Sequence, residues 1–209
     1  MGRYVGPACR LCRREGMKLF LKGTRCTMAK CPIETGRPAP GMHGQRRARK
    51  MSGYGVQLRE KQRLRRLYGL QETQFRGFFD RVARRRGVTG EQLLQMLEQR
   101  LDNLVYRFGF APSRRSARQL VLHGHVLLNG RKADVPSIIV KPGSLVAVRD
   151  KPKSREMAGK NLEGSEGRPV PVWLMIDAKK FSGQFVRVPT RDEIAPIVNE
   201  QMVVELYSK

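Results

Sequence analysis

Positive charge is concentrated toward one end of this chain, and that gradient limits what the chain can fold into. Of its 209 residues, 42 are Lys or Arg and 18 are Asp or Glu, a formal net charge of +24. Residues 1–50 hold 13 basic against 2 acidic side chains, and residues 51–100 hold 11 against 5. The balance then narrows to 8 against 3 over 101–150 and 10 against 8 over 151–209. Each uncompensated charge costs self-repulsion in a compact state, so a polyanion is the natural neutraliser. Nucleic acid is therefore the expected partner. A hydrophobic share of 40% is enough for a core, which excludes a purely disordered basic tail. The length allows one or two domains.

Nothing near the start of the sequence resembles a signal peptide, because Met1 to Gly16 is basic and holds no apolar run. Position 6, where myristoylation wants Ser or Thr, is Gly6. The longest apolar stretch, Val170 to Ile176, is broken by Pro171 and is too short for a bilayer. A cytoplasmic location without a membrane partner is expected.

Periodicity divides the chain into three parts. Residues 1–45 are rich in Gly and Pro and hold every cysteine, so a loop-rich segment held by something other than a large core is expected there. Residues 46–98 predict a helical domain. Ser52 can cap a helix that runs to Tyr68 and stops at Gly69. Phe75, Phe78, Phe79 and Val82 fall at i, i+3, i+4 and i+7, which predicts a core stripe rather than a platform for stacking bases. Arg84-Arg85-Arg86-Gly87 ends that helix, and Thr89 with Gln92 forms a candidate capping box ahead of Leu94, Leu97 and Leu101. In residues 99–196, Ser113 can cap a short helix that Gly124 closes. Asn129-Gly130 signals a tight hairpin, Pro142-Gly143 a second turn, and Leu145 to Val148 a strand. The polar stretch 151–168 reads as a helix or a flexible excursion. Val172 to Ile176, Phe185 to Val188 and Met202 to Leu206 read as further strands. The expected fold class is α+β, with a small, mostly antiparallel sheet carrying helices on one face. Residues 197–209 could return to the helical domain.

The cysteines stand as Cys9-x-x-Cys12 and, thirteen residues on, Cys26-x4-Cys31. Two close pairs at such spacing can converge as four thiolates on a tetrahedral ion, normally Zn2+. An iron–sulfur cluster is the alternative with the same ligands, and free thiols or disulfides are the remaining readings. Arg10, Arg13, Arg14, Arg25 and Lys30 stand nearby and would favour thiolate. Four protein ligands leave no open position, so the metal would be structural.

Candidate RNA contacts begin with Arg3, Arg10, Arg13 and Arg14. After Pro40-Gly41-Met42-His43-Gly44 come Arg46, Arg47, Arg49 and Lys50, an extended segment able to follow phosphates. Arg59, Arg63 and Arg66 recur at i, i+4 and i+7 and predict a line of guanidiniums on one helix face. Further along, Arg114, Arg115 and Arg118 lie at the start of the Ser113-capped helix, where free N–H groups also attract phosphate. Arg114 and Arg118 are expected to share an outward face, with Ala117, Leu120 and Val121 inward. The hairpin then presents Arg131 and Lys132.

This helix and hairpin, Ser113 to Val121 followed by His123-Gly124-His125-Val126 and Asn129-Gly130-Arg131-Lys132, resemble the RNA-binding module named after small-subunit ribosomal protein four. The module also occurs in pseudouridine synthases, some tyrosyl-tRNA synthetases and a heat-shock protein, so by itself it implies only RNA binding. The remaining segments are similar to the bacterial protein-four family in family order. They are Met1-Gly2-Arg3-Tyr4, Arg13-Arg14-Glu15-Gly16, Pro40 to Gly44, Leu58 to Gln62, Gln74-Phe75-Arg76, Leu101-Asp102-Asn103, Val105-Tyr106-Arg107 and the ending from Asn199 to Ser208. The resemblance implies binding to the 5′ domain of 16S ribosomal RNA early in assembly and contact with ribosomal protein five. It also implies an influence on decoding accuracy and a place lining the channel where messenger RNA enters. Many family members lack the cysteines, so a metal here would fix the N-terminal loop without being indispensable.

Two other classes compete. An RNA-modifying enzyme could carry the same module, but it needs a further catalytic domain and no stretch is left to form one. A zinc-dependent DNA-binding regulator would want an isolated recognition helix, whereas the basic residues here are spread over several elements. The carboxylates show no acid–base pairing, and no Gly-rich phosphate loop follows a strand. His123, His125 and Trp173 read as packing residues.

Overall fold

A computed structural model describes residues 2–44, 50–164, 169–194 and 198–208, and Arg46, Arg47 and Arg49 lie outside the described residues. The chain divides into two compact units, Met1–Leu94 with Ala195–Lys209, and Gln95–Ile194.

The first unit is helical. α1 (Ala8–Glu15) is followed by a short 3-10 turn (Gly23–Cys26), α2 (Gly53–Leu67) and α3 (Glu72–Ala83). The hydroxyl of Ser52 accepts from Gly55 N at 3.2 Å, capping α2. Phe75, Phe78, Phe79 and Val82 are all buried on one face of α3. α4 (Thr89–Glu98) begins in this unit and ends in the second. Its expected capping box is not formed, because the Gln92 side-chain amide donates instead to Arg86 O at 2.6 Å.

The run Met202 to Leu206, expected as a strand, is helical and lies within α8 (Glu200–Tyr207). Asn199 caps it by accepting from Gln201 N at 3.0 Å. Val203 is fully buried, and Tyr207, one turn on, stacks on Phe79 at 4.6 Å between ring centroids. Helical spacing thus serves a face against α2 and α3, and this packing overrides the strand preference of the Val-Val pair.

The second unit opens with α5 (Leu101–Arg107) and α6 (Arg114–Leu122). β1 (Val126–Leu128) and β2 (Arg131–Ala133) form the hairpin, with Leu128 opposite Arg131. Asn129 and Gly130 both have positive φ, 50° and 78°, the combination that a two-residue turn requires. β3 (Leu145–Val148), α7 (Pro152–Glu163), β4 (Leu174–Asp177) and β5 (Ser182–Phe185) complete the unit. All pairings are antiparallel, in the order β2-β1-β3-β5-β4. β5 ends at Phe185, where the expected strand begins. Within β5, Gly183 leaves room for the Phe108 ring, which a Cβ at that position would meet at 2.3 Å. The core gathers Leu104, Phe108, Phe110, Val121, Val146, Trp173 and Phe185. Trp173 meets Phe185 edge-on at 5.8 Å. Mixed helices with a small antiparallel sheet make the fold α+β.

Candidate nucleic-acid interface

In the first unit the basic face of α2 is organised by one buried carboxylate. Glu15, the last residue of α1, has a fully buried side chain. Arg59 Nη1 meets its Oε1 at 3.2 Å, Arg66 Nη1 meets the same oxygen, and Arg63 Nε faces Oε2 at 3.7 Å. Arg63 also pairs with Glu60. The line of guanidiniums exists, but it is turned onto α1. Side-chain exposures of 20%, 25% and 18% for Arg59, Arg63 and Arg66 still leave part of each at the surface. Burial lowers the pKa of Arg66, and Glu15 works against that shift. Two carboxylates, Glu15 and Glu60, face the three guanidiniums, so the cluster keeps a net positive charge.

α1 also carries two of the thiols. Cys12, Cys26 and Cys31 are buried, Cys9 is half-buried, and none is in a disulfide. Cys26 Sγ accepts from Lys22 N at 3.3 Å. Burial pushes the Cys12 thiol up; a hydrogen bond from the Leu19 backbone opposes this, and Cys26, Cys9 and Cys31 add to it. For Cys12, burial therefore favours the thiol rather than the thiolate expected from the neighbouring basic residues. Among the described residues no three His, Cys, Asp or Glu side chains form a group that could hold a metal ion. The expected metal-binding segment is present as a thiol cluster without a formed coordination centre.

The other basic residues of this segment are more open. Arg3, Arg10, Arg14, His43 and Lys50 are exposed. Arg13 is half-buried and donates to Pro38 O at 3.0 Å, tying α1 to the loop beyond it. Between them lies an open crevice of about 670 Å³, lined by Arg10, Arg13, Pro38, Pro40 and Met42 among others.

In the second unit Arg114 and Arg118 are not on an outward face. Arg118 is buried, its Nη1 3.4 Å from Asp102 Oδ2. Arg100, only 1% exposed, grips the same carboxylate through Nε at 3.0 Å and Nη2 at 2.6 Å. Arg114 donates from Nε to Asn103 Oδ1 at 2.8 Å and lies over the Tyr106 ring at 4.6 Å. Glu98, fully buried, accepts from Arg107 at 2.9 and 2.6 Å and from Asn103 at 2.6 Å. Ser113 caps α6 as expected, accepting from Ser116 N at 3.2 Å. Arg131 and Lys132 are exposed at the hairpin, and Arg115 is partly exposed on α6. His125 accepts from or donates to Ser154 Oγ at 2.9 Å, and burial lowers its pKa.

Reasoning from the sequence missed Glu15, Glu98, Asp102 and Asn103, which decide where these arginines point. A signal was present for the first. Glu15 is one of only two acids among the first fifty residues, and an acid kept in so basic a field has work to do as a partner.

Residues 3–98 match the family described as Ribosomal protein S4/S9 N-terminal domain, and residues 99–146 match the S4 domain. The small ribosomal subunit protein uS4 of Thermus thermophilus is 54% identical over 209 residues, all of this chain and all of that protein. The chain belongs to the uS4 family. The uS4 proteins of Trichlorobacter lovleyi and Acetivibrio thermocellus are 55% and 54% identical, again over the full length of both chains. As a ribosomal structural protein of this family, the chain is not an enzyme.

Proposed function

We propose that this uS4 family member is a structural constituent of the cytoplasmic small ribosomal subunit. It binds the 5′ domain of 16S ribosomal RNA and helps to nucleate subunit assembly. The observation that carries the reading is the end-to-end similarity to proteins named as small-subunit components. An exposed, incompletely neutralised basic surface supports it. RNA contact falls to Arg3, Arg10, Arg14, His43, Lys50, Arg115, Arg131 and Lys132, with Arg46, Arg47 and Arg49 proposed from sequence alone. Arg13, Arg59, Arg63, Arg66 and Arg114 contribute with the part of each side chain that stays at the surface. Arg118 shapes the module from within. Contact with ribosomal protein five, an influence on decoding accuracy and a place beside incoming messenger RNA belong to the same proposal. Binding to a 5′-domain transcript should weaken steeply with monovalent salt, as many phosphate contacts release many counterions. A nearly flat titration overturns the reading.

We also propose that the thiol cluster takes a structural Zn2+, an iron–sulfur cluster being the alternative. The donor set fits, because four cysteines fall in one short segment, three of them buried, and backbone N–H groups already point at Cys12 and Cys26. A bound cation would favour the thiolates that burial disfavours. Cys9, Cys12, Cys26 and Cys31 would hold it and brace residues 2–44. Replacing Cys9 and Cys12 by Ser should remove the metal and sensitise this segment to protease, leaving unit 2 intact. Protein prepared anaerobically without either zinc or iron overturns the proposal.

A further inference from the structure

Arg81, Arg84, Arg85 and Arg86 follow Asp80, and no carboxylate occurs again before Glu91. All four guanidinium-bearing residues are exposed. Among the described residues, none of the four is in an ion pair, unlike Arg59 and Arg66 of α2 and Arg118 of α6. The turn that presents them is built rather than loose. Arg85 N donates to Val82 O at 2.8 Å, continuing the end of α3. Gly87 then turns the backbone at φ 119°. Gln92 in α4 holds the turn from below through its 2.6 Å hydrogen bond to Arg86 O, and a Cβ on Gly87 would meet that amide at 2.4 Å. Arg81 is itself fixed, with Nε on Gly77 O at 3.0 Å and its guanidinium over Phe78 at 4.5 Å.

Basic residues favour a helix C-terminus, and Arg81 alone would satisfy that preference. Three more consecutive guanidiniums on a tied turn need a dense anion. We propose that the turn between α3 and α4 is a further phosphate-binding surface that takes the sugar–phosphate backbone of ribosomal RNA. The inference rests on the reading of this chain as a 16S ribosomal RNA binder. Guanidinium binds phosphate bidentately, and the fixed turn has already met much of the ordering cost of binding. Phe78 and Phe79 are buried, so neither is open to stack a base. The contact therefore positions RNA without reading its sequence.

The test is the full-length R84Q/R85Q/R86Q variant bound to a 5′-domain transcript across a salt series. Affinity should fall about tenfold or more at moderate salt, and the log–log salt slope should flatten by about two to three contacts. An unrelated structured RNA should lose the same factor, so the preference for the cognate transcript stays constant. The charge-preserving R84K/R85K/R86K variant should recover most of the slope. Unchanged affinity and slope in a Gln variant that melts like the parent overturn the inference. If the triple Gln variant fails to fold, Arg85→Gln and Arg86→Gln singly must each flatten the slope by about one, or the inference falls. Unchanged RNA binding with lost binding to an acidic protein of the subunit also overturns it, in favour of a protein partner. Failure of the parent protein to bind the transcript would instead overturn the functional reading itself.

Discussion

The two units handle excess arginine in different ways. In the first, Glu15 serves Arg59, Arg63 and Arg66, with Glu60 as a second partner of Arg63, and each guanidinium keeps about a fifth or a quarter of its side chain in water. In the second, Asp102 and Glu98 serve Arg100, Arg118, Arg107 and Arg114, and Arg100 is essentially sealed. A charge removed from water must be paired closely, whereas one that keeps solvent depends less on its partner. Arg100 and Arg118 are thus internal scaffold in the second unit, whereas Arg59, Arg63 and Arg66 stay partly at the surface in the first. Counting arginines along a helix cannot separate the two roles.

Asp102→Ala should have the largest effect on stability. It strands Arg100 and Arg118 in the interior, and breaking such a buried arrangement costs about 3–5 kcal/mol. Urea unfolding measures this, and a loss below about 1 kcal/mol would mean that both guanidiniums reach water, erasing the contrast between the units. Glu15→Gln should cost less, about 1.5–3 kcal/mol, because its three partners can turn partly to solvent. Protease cleavage should then increase within residues 2–44. Equal losses for the two substitutions would contradict the difference in burial.

Where local chemistry decides, the sequence was a good guide. The Phe75–Val82 stripe, the Ser52 and Ser113 caps and the Asn129-Gly130 turn each depend on neighbours a few residues away. The facing of the arginines depends on partners far along the chain. Arg59 and Arg66 find Glu15 across 44 and 51 residues, and Arg118 finds Asp102 across 16. No periodicity argument contains those pairings. α8 departs from the expected strand for a related reason, because a short, mostly apolar run fits either secondary structure until its packing surface is known. In the sequence the arginine turn at residues 84–86 shows only as a helix stop, since the tie between Gln92 and Arg86 O exists only in three dimensions.

The module offers a sharper version of the same comparison. Arg118→Gln should cost about 1–2 kcal/mol of stability, because it withdraws a guanidinium from a buried carboxylate. The R131Q/K132Q pair should leave stability within about 0.5 kcal/mol. It should nonetheless lower RNA affinity and flatten the salt slope by about two contacts. Parallel melting and binding curves decide between these roles. If Arg118→Gln changed binding without changing stability, its place inside the module would have to be reconsidered.

The smallest expected effect concerns how α8 is held in the first unit. The Tyr207 hydroxyl donates to Glu72 Oε1 at 2.8 Å, and Lys61 Nζ donates to the same oxygen at 2.7 Å. Burial alone would raise the Glu72 pKa, but the hydrogen bonds from Lys61 and Tyr207 outweigh it and hold the carboxyl below its ordinary value. Burial, reinforced by Glu72, pushes the Tyr207 phenol well above its own. A depressed carboxyl contributes stability above the ordinary carboxylate range, and that stability is lost as pH falls through the folded value. A raised phenol contributes stability that is fully present below about pH 10 and lost as pH rises through the folded value. Tyr207→Phe keeps the stack on Phe79 while deleting the hydroxyl, so it should cost about 0.5–1.5 kcal/mol near neutrality. The difference between parent and variant should then shrink below about pH 4 and again above about pH 10. Urea midpoints measured across that range supply the check. A difference that stays constant from acid to alkali would show that the Glu72 hydrogen bond contributes nothing to holding the helix.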